Sequence, residues 1–478
     1  MKFCSRIHPV IGILICLTPG CAEKTKSTSS SSTSPSYQTL TVEWDDSVDK
    51  DEFLAWANFE KVRSGVVLEQ APRGQGDLFL GRPWNLVEEV RKGQLAPVAE
   101  ELIQSRGALR FDDFLPWIRQ RILVWDRQAY ALPLYGDGWV CLYRKDWLNE
   151  AAKKKGLSSA PAMNYWEEFI AAAQLLADAG VTGSPGKSVA SLGKSALEWE
   201  EQFLWIHAGF SSRAIGSEEK KELFGDNELF GYLYDLKTGD FQPGRVATAE
   251  AVKIWVELAK LRVDPKSAAN SIDEFLAGQS AIGIFPLPAV ARLRASGLID
   301  QVGIAPVPGT KRYANAKGAL ELANRPNRRP LLGGRLVLGM VRKSSTQQDL
   351  AWGLLARAAA PLGERWALGT ATAGVTRTDQ VLRMRWDRFD LDIANTSTFR
   401  DILRDDALHP KIQNPAMYPR RFDAPLRAEK LQVLLAALKP GDPPERLAED
   451  WKKAVDGSVS LPEPERKRVA RLCAGLIP

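Results

Sequence analysis

Residues 275–309 read FLAGQSAIGIFPLPAVARLRASGLIDQVGIAPVPG, and their pattern decides the fold. A helix ends at Gly278, a short apolar strand follows over residues 281–285, and Pro286 opens a loop. A second helix then leads to another apolar strand, residues 302–307, which ends at Pro308. Strands that alternate with helices indicate an α/β protein with mainly parallel sheets.

The same alternation occurs closer to the amino terminus. The pattern predicts strands at residues 40–44, 66–69 and 77–80, and helices at 53–64 and 84–91. Ligands of such sheets bind beyond the carboxyl ends of the strands. Trp44, Asp45, Asp46, Arg82 and Trp84 follow or end these strands, so we expect ligand contacts among them.

Four further motifs are informative together. Residues 130–139 read YALPLYGDGW, residues 141–147 read CLYRKDW, residues 160–169 read APAMNYWEEF, and residues 331–339 read LLGGRLVLG. With the FLAGQSA segment, they form an order that resembles family 1 of the extracellular solute-binding proteins of ABC transporters, which includes the maltose-binding proteins. The resemblance spans roughly residues 40–375 and is densest over 130–170 and 245–345.

The resemblance implies a two-lobe periplasmic-binding-protein fold of the type II kind. Each lobe would be a mainly parallel sheet flanked by helices, and crossing strands, among them residues 130–135 and 302–307, would form a hinge. The first lobe would comprise residues 39–132 and about 303–345. The second would comprise 133–302 and much of 346–478. A sugar or oligosaccharide would bind in the cleft, and the closed form would deliver it to an ABC transporter permease.

The resemblance also adds candidate ligand contacts to Trp44, Asp45 and Trp84. These are residues at strand ends or family motifs, namely Tyr135, Asp137, Trp205, Phe285, Gly334, Arg335 and Arg377. Aromatic rings stack on sugar rings, while carboxylates and guanidinium groups bind the hydroxyls. Phe285 stands where many relatives carry Trp. Three guanidinium groups, of Arg82, Arg335 and Arg377, suggest an acidic sugar as one hypothesis.

The first 20 residues read as an export signal. Lys2 and Arg6 precede a short apolar core, residues 10–17, and residues 17–21 read LTPGC, which is similar to a bacterial lipobox. We expect cleavage before Cys21, attachment of a diacylglycerol to its sulfur, and a Ser/Thr-rich tether over residues 21–38. The protein would then be an extracytoplasmic lipoprotein anchored to a membrane.

Length and charge limit the other possibilities. A chain of 478 residues with 45% hydrophobic and 26% charged residues is expected to fold into two globular units. The net charge of +6 includes Lys2 and Arg6, and a charge this small does not indicate nucleic-acid binding. Three scattered histidines, His8, His207 and His409, predict no histidine metal centre. We expect a monomer without a cofactor.

The cysteines of the expected mature chain leave one question open. Cys141 falls in an apolar strand, where a buried free thiol is the ordinary case. The sequence does not determine whether Cys141 and Cys473 pair.

Motifs for catalysis are missing from the sequence. Gly186-Lys187 and Gly193-Lys194 lack the glycine that a phosphate-binding loop needs five positions earlier. The chain has no G-x-S-x-G or H-E-x-x-H motif, and the pairs Glu167-Glu168 and Glu200-Glu201 look like solvated helix faces. We therefore expect a binding protein rather than an enzyme. The alternatives are a sugar-binding subunit of a sensor and a lipid-anchored enzyme acting on polysaccharide.

Overall fold

A computed structural model gives the structure of the chain. It describes residues 38–48, 61, 65–104, 107, 109–180, 189–216, 218–262, 271–287, 289–360, 376–377, 398, 401, 413–419, 422–439, 442–458 and 461–476. The predicted signal peptide, Cys21, the tether up to residue 37 and most of the predicted helix 53–64 lie outside the described residues.

The strands and helices alternate along the chain. The strands are β1 Gln38–Trp44, β2 Val66–Gln70, β3 Leu78–Gly81, β4 Val124–Trp125, β5 Gln128–Ala129, β6 Leu132–Tyr135, β7 Trp139–Arg144, β8 Ala190–Ser191, β9 Ile282–Pro286, β10 Val302–Ala305, β11 Thr310–Ala314, β12 Leu320–Asn327, β13 Leu331–Leu332, β14 Val337–Val341 and β15 Ala416–Met417. The helices are α1 Pro83–Arg91, α2 Glu100–Ile103, α3 Pro116–Arg121, α4 Lys145–Lys154, α5 Trp166–Asp178, α6 Ala196–Ser211, α7 Asp226–Leu229, α8 Arg245–Lys260, α9 Ser271–Leu276, α10 Ala289–Ser296, α11 Gln348–Ala359, α12 Ala424–Ala437, α13 Arg446–Asp456 and α14 Glu463–Cys473.

The first lobe is built on a five-stranded sheet in the order β2-β1-β3-β14-β6. β1 pairs in parallel with β2 and β3, and Trp44 lies beside Leu80 where β1 and β3 end. β14 runs antiparallel to both of its neighbours, β3 and β6. Helix α1 packs against β3 and β14, and α11 packs against β6 and β14.

The second lobe contains a four-stranded sheet in the order β10-β7-β9-β8. β7 pairs antiparallel with β9 and β10, whereas β8 is parallel to β9. The prediction of mainly parallel sheets is therefore wrong in this detail, and both sheets are mixed. In the first sheet β14 is the antiparallel strand. The chain enters it from the second lobe, so it runs opposite to β3 and β6.

One predicted crossing strand is also corrected. Residues 302–307 were expected to pass between the lobes, but β10 is the edge strand of the second sheet. The hairpin of β11 and β12 that follows packs through β11 against α6 and α8, helices of the same lobe. Within the described part of the chain, residues 333–336 between β13 and β14 lead from the second lobe to the first sheet.

The two faces of β7 belong to different hydrophobic cores. Val140 and Leu142 join the core that extends through the first lobe, whereas Trp139 and Cys141 join the core of the second lobe. Side chains alternate between the faces of a strand, so one strand serves both cores. Trp166, Phe169 and Trp255 lie in the second core, as predicted. Cys141 is a buried free thiol, so it forms no disulfide with Cys473.

Helix α14 contacts both lobes. Glu465 and Arg468 form ion pairs with Arg91 and Asp126 of the first lobe. Arg466 and Arg471 pair with Asp240 and Asp226, which precede α8 in the second lobe. Just after the helix, the carbonyl of Ala474 accepts a hydrogen bond from Nε of Arg121 at 3.1 Å. This last helix therefore connects the two lobes at a place distant in sequence from the crossing segments.

A buried ion pair holds α12 against α6. Arg427 donates from Nε to Oε1 of Glu200 at 2.6 Å, and both side chains are fully buried. Glu200 also accepts a hydrogen bond from the hydroxyl of Tyr418. Removing one partner of such a pair leaves an uncompensated charge in the core.

We predict that Arg427→Leu lowers the free energy of unfolding of the second lobe by about 3–5 kcal/mol, because Glu200 keeps its burial and loses its cation. The matched control is Arg446→Leu, which removes an exposed pair with Asp450 and should cost at most about 1 kcal/mol. Urea unfolding followed by tryptophan fluorescence measures both. Equal effects of the two substitutions would contradict the prediction.

Candidate functional site

The candidate site lies where two segments of the chain cross between the lobes. Residues 136–138 connect β6 to β7, and residues 333–336 connect β13 to β14. Asp137 joins these segments, since its Oδ2 accepts hydrogen bonds from the backbone N–H of Gly333 at 2.5 Å and of Arg335 at 3.4 Å. Burial raises the pKa of Asp137, and the backbone donors partly offset that increase.

The glycine pair allows a close approach of backbone to side chain. Gly333 has φ of +89°, a conformation that favours glycine. A Cβ on Gly334 would lie 2.7 Å from Oε1 of Glu201, so any larger residue would displace this carboxylate. The sequence predicts a close approach of ligand to the backbone of Gly334, and that contact stays a prediction.

Arg335 is the cation at the centre of the site. Its Nε donates to Oε2 of Glu201 at 2.8 Å, and its Nη2 lies 3.6 Å from Oε1 of Glu198. The guanidinium also lies over the ring of Trp139, 5.1 Å from the centroid. About a quarter of the Arg335 side chain, 25%, remains exposed, so it can reach a ligand.

Glu201 is held almost without solvent. Only 3% of its side chain is exposed, and burial raises its pKa to about 7 despite the neighbouring Arg335. The carboxyl is therefore poised between its acid and carboxylate forms near neutral pH. In the acid form it can donate a hydrogen bond, and in the carboxylate form it only accepts.

The first lobe contributes Arg82 to the same network. Its Nη1 donates to the carbonyl of Arg335 and its Nη2 donates to the carbonyl of Ser47. Burial and the nearby Arg335 lower the pKa of Arg82 to about 10. Asp45 supports this arrangement, because it accepts hydrogen bonds from the Ser47 hydroxyl at 2.5 Å and from Nδ2 of Asn85 at 3.0 Å.

Aromatic rings cover one side of the charged groups. Trp84, at the start of α1, packs into the second core, and its ring centroid lies 5.7 Å from that of Tyr418. Tyr418 is close to Gly334, and Trp139 lies beneath Arg335. Trp84 thus places a first-lobe ring against the second lobe.

The predicted contact residues divide into two groups. The structure brings together Asp45, Trp84, Asp137, Gly334 and Arg335 in the network between the lobes. The remaining predicted contact residues lie outside this network, in or against the hydrophobic cores. Trp44 packs half-buried against the first core, Tyr135 is buried in β6, and Trp205 is buried in α6 four residues after Glu201.

Two predicted contacts face away from the cleft, and we correct them here. Phe285 is fully buried, and its ring packs against Phe275 with centroids 5.2 Å apart, so it is a core residue. Arg377 is also fully buried and donates hydrogen bonds to the carbonyls of Leu109, Arg110 and Ala359. Neither side chain has a surface left for a ligand.

Sequence reasoning missed several members of the network. Glu200 and Glu201 were expected on a solvated face, yet they are 0% and 2% exposed. The sequence did contain a sign of this burial, because α6 reads ALEWEEQFLWIHAGFS and has apolar residues on every side. A helix of that kind is buried all round, so its carboxylates must find partners. Trp139 and Tyr418 carried no comparable signal.

Two α/β lobes, two crossing segments among the described residues and a polar network at the crossing define the class of two-lobe ligand-binding proteins that close about a hinge. The sequence profile of bacterial extracellular solute-binding proteins matches residues 52–361, and the chain belongs to that family. This confirms the resemblance inferred from the motifs and makes the chain a binding protein rather than an enzyme. No curated protein sequence matches it.

Solved structures with the same fold have low sequence identity. Maltose-bound MalE3 of T. maritima is 15% identical and superposes with a TM-score of 0.61 over 88% of this chain and 100% of its own. The substrate-binding protein Lmo0181 of Listeria monocytogenes, in complex with cycloalternan, is 14% identical with a TM-score of 0.62, covering 88% and 99%. A solute-binding protein of Agrobacterium vitis S4 with bound D-mannitol is 17% identical with a TM-score of 0.59, covering 88% and 98%.

We predict a pH dependence of stability from Glu201. Its pKa rises from an ordinary 4.5 to about 7 on folding, so the folded chain keeps a proton that the unfolded chain releases between these values. The stabilisation from this group is present below pH 4.5 and is lost as pH rises to 7. The measured quantity is the free energy of unfolding of the native chain minus that of Glu201→Gln. This difference should therefore fall by roughly 2 kcal/mol from pH 5 to 7.5.

Urea unfolding at each pH measures this difference. The control is Glu257→Gln, the same substitution on the exposed surface of α8. A difference for Glu201→Gln that stays constant from pH 5 to 7.5 would show that burial does not perturb this carboxyl.

Proposed function

We propose that the chain captures a neutral sugar or oligosaccharide between its lobes and delivers it to an ABC transporter permease. The observation that carries the proposal is the network of Arg82, Asp137, Glu201 and Arg335 beside Trp84 and Tyr418. It combines hydrogen-bonding groups with aromatic rings at the crossing of the two lobes, as a saccharide requires. Three solved structures of the same fold contain maltose, cycloalternan and D-mannitol.

Charge balance favours a neutral ligand over an acidic one. Of the three arginines that suggested an acidic sugar, Arg377 is buried elsewhere, and Arg82 and Arg335 remain. Arg335 is already paired with Glu201 and Glu198. Asp137 adds a further acidic group. A uronate would add one more negative charge where carboxylates already surround the guanidinium groups, whereas hydroxyls can both donate to and accept from them.

We further propose that each lobe moves as one body about the two crossing segments. The first body would comprise the five-stranded sheet with α1 and α11, and the second the four-stranded sheet with α4, α5, α6, α8, α12 and the hairpin. This revises the predicted boundaries, because residues 310–327 pack in the second lobe and α11 in the first. Opening would separate Arg82 and Trp84 from Arg335 and Tyr418, which they contact in the structure.

The membrane anchor is proposed from the sequence. No helix in the part of the chain that the structure describes is long and apolar enough to cross a membrane. Lipidation of Cys21 and the tether after it would keep the binding protein near its permease. The family is extracellular by description, which agrees with an export signal. Delivery to a sensor remains the alternative, and adjacent permease genes would favour transport.

We expect at least one neutral mono- or oligosaccharide to raise the midpoint of thermal unfolding, since a ligand that binds only the native state stabilises it. Arg335→Ala and Trp84→Ala should each weaken that binding at least tenfold in calorimetry, by removing a hydrogen-bond donor or a ring face. Arg446→Ala, on the exposed surface of α13, is the control and should bind as the native chain does. If no neutral sugar binds, or if Arg335→Ala has no effect, the proposal is wrong.

We expect Cys21→Ser to shift the protein from the membrane fraction to the soluble extracytoplasmic fraction. The serine hydroxyl cannot replace the thiol that would receive the lipid. Metabolic labelling with radioactive palmitate, followed by fractionation, measures both the lipid and the location. Cys141→Ser is the control, because that thiol is buried in β7. Equal labelling of the native chain and Cys21→Ser would contradict lipidation at this position.

A further inference from the structure

The second lobe contains a cavity that the proposed sugar site does not use. Its volume is about 710 Å³, and it lies between the carboxyl end of α6, the segment of residues 224–242 and the hairpin of β11 and β12. Ser211 at the end of α6 lines it, ten residues after Glu201. Ten residues of helix span about 15 Å, so this cavity is separate from the network between the lobes.

Side-chain amides hold the walls of the cavity in place. Asn327 donates from Nδ2 to the carbonyls of Gly209 and Ser212 at 2.5 and 2.9 Å, and its Oδ1 accepts from the N–H of Ala214 at 2.8 Å. Asn414 accepts from the N–H of Ile215 at 2.8 Å. These bonds tie the hairpin and residues 413–414 to the end of α6, so the cavity is preformed.

Arg329 forms part of the cavity wall and is the main evidence for a ligand. Only 2% of the residue is exposed. Its Nε donates to the carbonyl of Asn414 at 2.8 Å, and its Nη1 donates to the hydroxyl of Ser211 at 2.7 Å. Among the described residues, no carboxylate forms an ion pair with Arg329 and no acceptor binds its Nη2.

A buried cation without an anion is costly. Burial lowers the pKa of Arg329 to about 10, which reflects the loss of water around the charge. The ring of Tyr232, 5.5 Å away, offers only weak cation–π compensation. An anion that enters the cavity and binds Nη2 would restore the missing partner.

The remaining lining suits the body of a sugar. Tyr232, Tyr234 and Tyr313 contribute aromatic rings, and Asn227 and Asn315 contribute amides. Stacking and amide hydrogen bonds are the contacts that a hydroxylated ring uses. The cavity volume lies within the usual range for small-molecule sites.

Three cations and three carboxylates line the cavity when Arg329 is counted among the cations. Arg213 binds Glu219 through two hydrogen bonds of 2.8 and 2.6 Å, and Glu321 accepts from the Tyr313 hydroxyl at 2.9 Å. Lys237 provides a third cation besides Arg213 and Arg329, against three carboxylates in the lining, those of Glu228, Asp235 and Glu321. A single carboxylate on Arg329 adds one negative charge to this lining, whereas a doubly charged phosphate adds two.

We propose that this cavity is a second ligand site, which binds a saccharide carrying a carboxylate, with that carboxylate on Arg329. The site is independent of the cleft between the lobes. It gives the chain a place for acidic sugars because, among the described residues, Arg329 lacks the carboxylate partners that Arg335 has in the cleft.

The test is calorimetric titration of the full chain with D-glucuronate and D-galacturonate, with D-glucose and D-galactose as neutral counterparts. The titrations use the Arg335→Ala background, so that the cleft site is impaired. We expect saturable binding of a uronate, at least tenfold tighter than that of its neutral counterpart. Arg329→Gln should weaken uronate binding at least tenfold, because the amide carries no charge.

A second variant guards against a folding defect in Arg329→Gln. Ala316 is exposed in the hairpin turn and lines the cavity, so Ala316→Trp should fill part of the space without touching the buried network. It should weaken uronate binding at least tenfold as well. Arg245→Gln, on the exposed surface of α8, is the control and should bind uronate as the parent does.

Three results would overturn the second site. One is the absence of uronate binding at millimolar concentrations in the Arg335→Ala background. Another is binding that Ala316→Trp and Arg329→Gln both leave unchanged. The third is equal affinity for a uronate and its neutral counterpart. None of these results bears on neutral-sugar binding in the cleft, which is measured with the native background.

Discussion

The carboxylate of Asp137 is the contact on which the arrangement of the lobes depends. It sits in one crossing segment and accepts hydrogen bonds from the backbone of the other, at Gly333 and Arg335. A carboxylate that accepts backbone N–H groups in a buried place fixes their positions strongly. It thereby places the glycine pair against Glu201 and directs the side chain of Arg335 toward α6. Hinge and binding groups thus share one anchoring residue.

The network between the lobes is compact because its charges are satisfied internally. Arg82 donates to carbonyl oxygens, Arg335 pairs with Glu201, and Asp45 holds Ser47 and Asn85. Each charge would be costly to bury alone. A ligand that enters this network must replace existing hydrogen bonds with equivalent ones. Sugar hydroxyls can do so because each both donates and accepts.

The sequence predicted the fold and part of the site, for reasons that the structure makes clear. Trp166 and Phe169 were assigned to a core from helical spacing, which is a local property. Asp137, Gly334 and Arg335 were proposed as ligand contacts from short motifs, and the structure places them in the network at the crossings. Their contact with a ligand stays a prediction. Glu201 was missed because its burial depends on the hairpin, α8 and α12, which follow it at distances of tens of residues or more. Phe285 was misassigned because a place near a strand end does not specify which face a side chain occupies.

Helix α14 has a consequence for how the lobes separate. Its four ion pairs, two to each lobe, are all partly exposed to solvent. Exposed pairs contribute little individually and weaken as dissolved salt screens their charges. If the lobes separate as proposed, breaking these ion pairs would cost less free energy at higher ionic strength, whereas the buried hydrogen bonds of Asp137 would be screened far less. The ionic composition outside the cell would then enter the equilibrium between open and closed lobes, alongside the ligand itself.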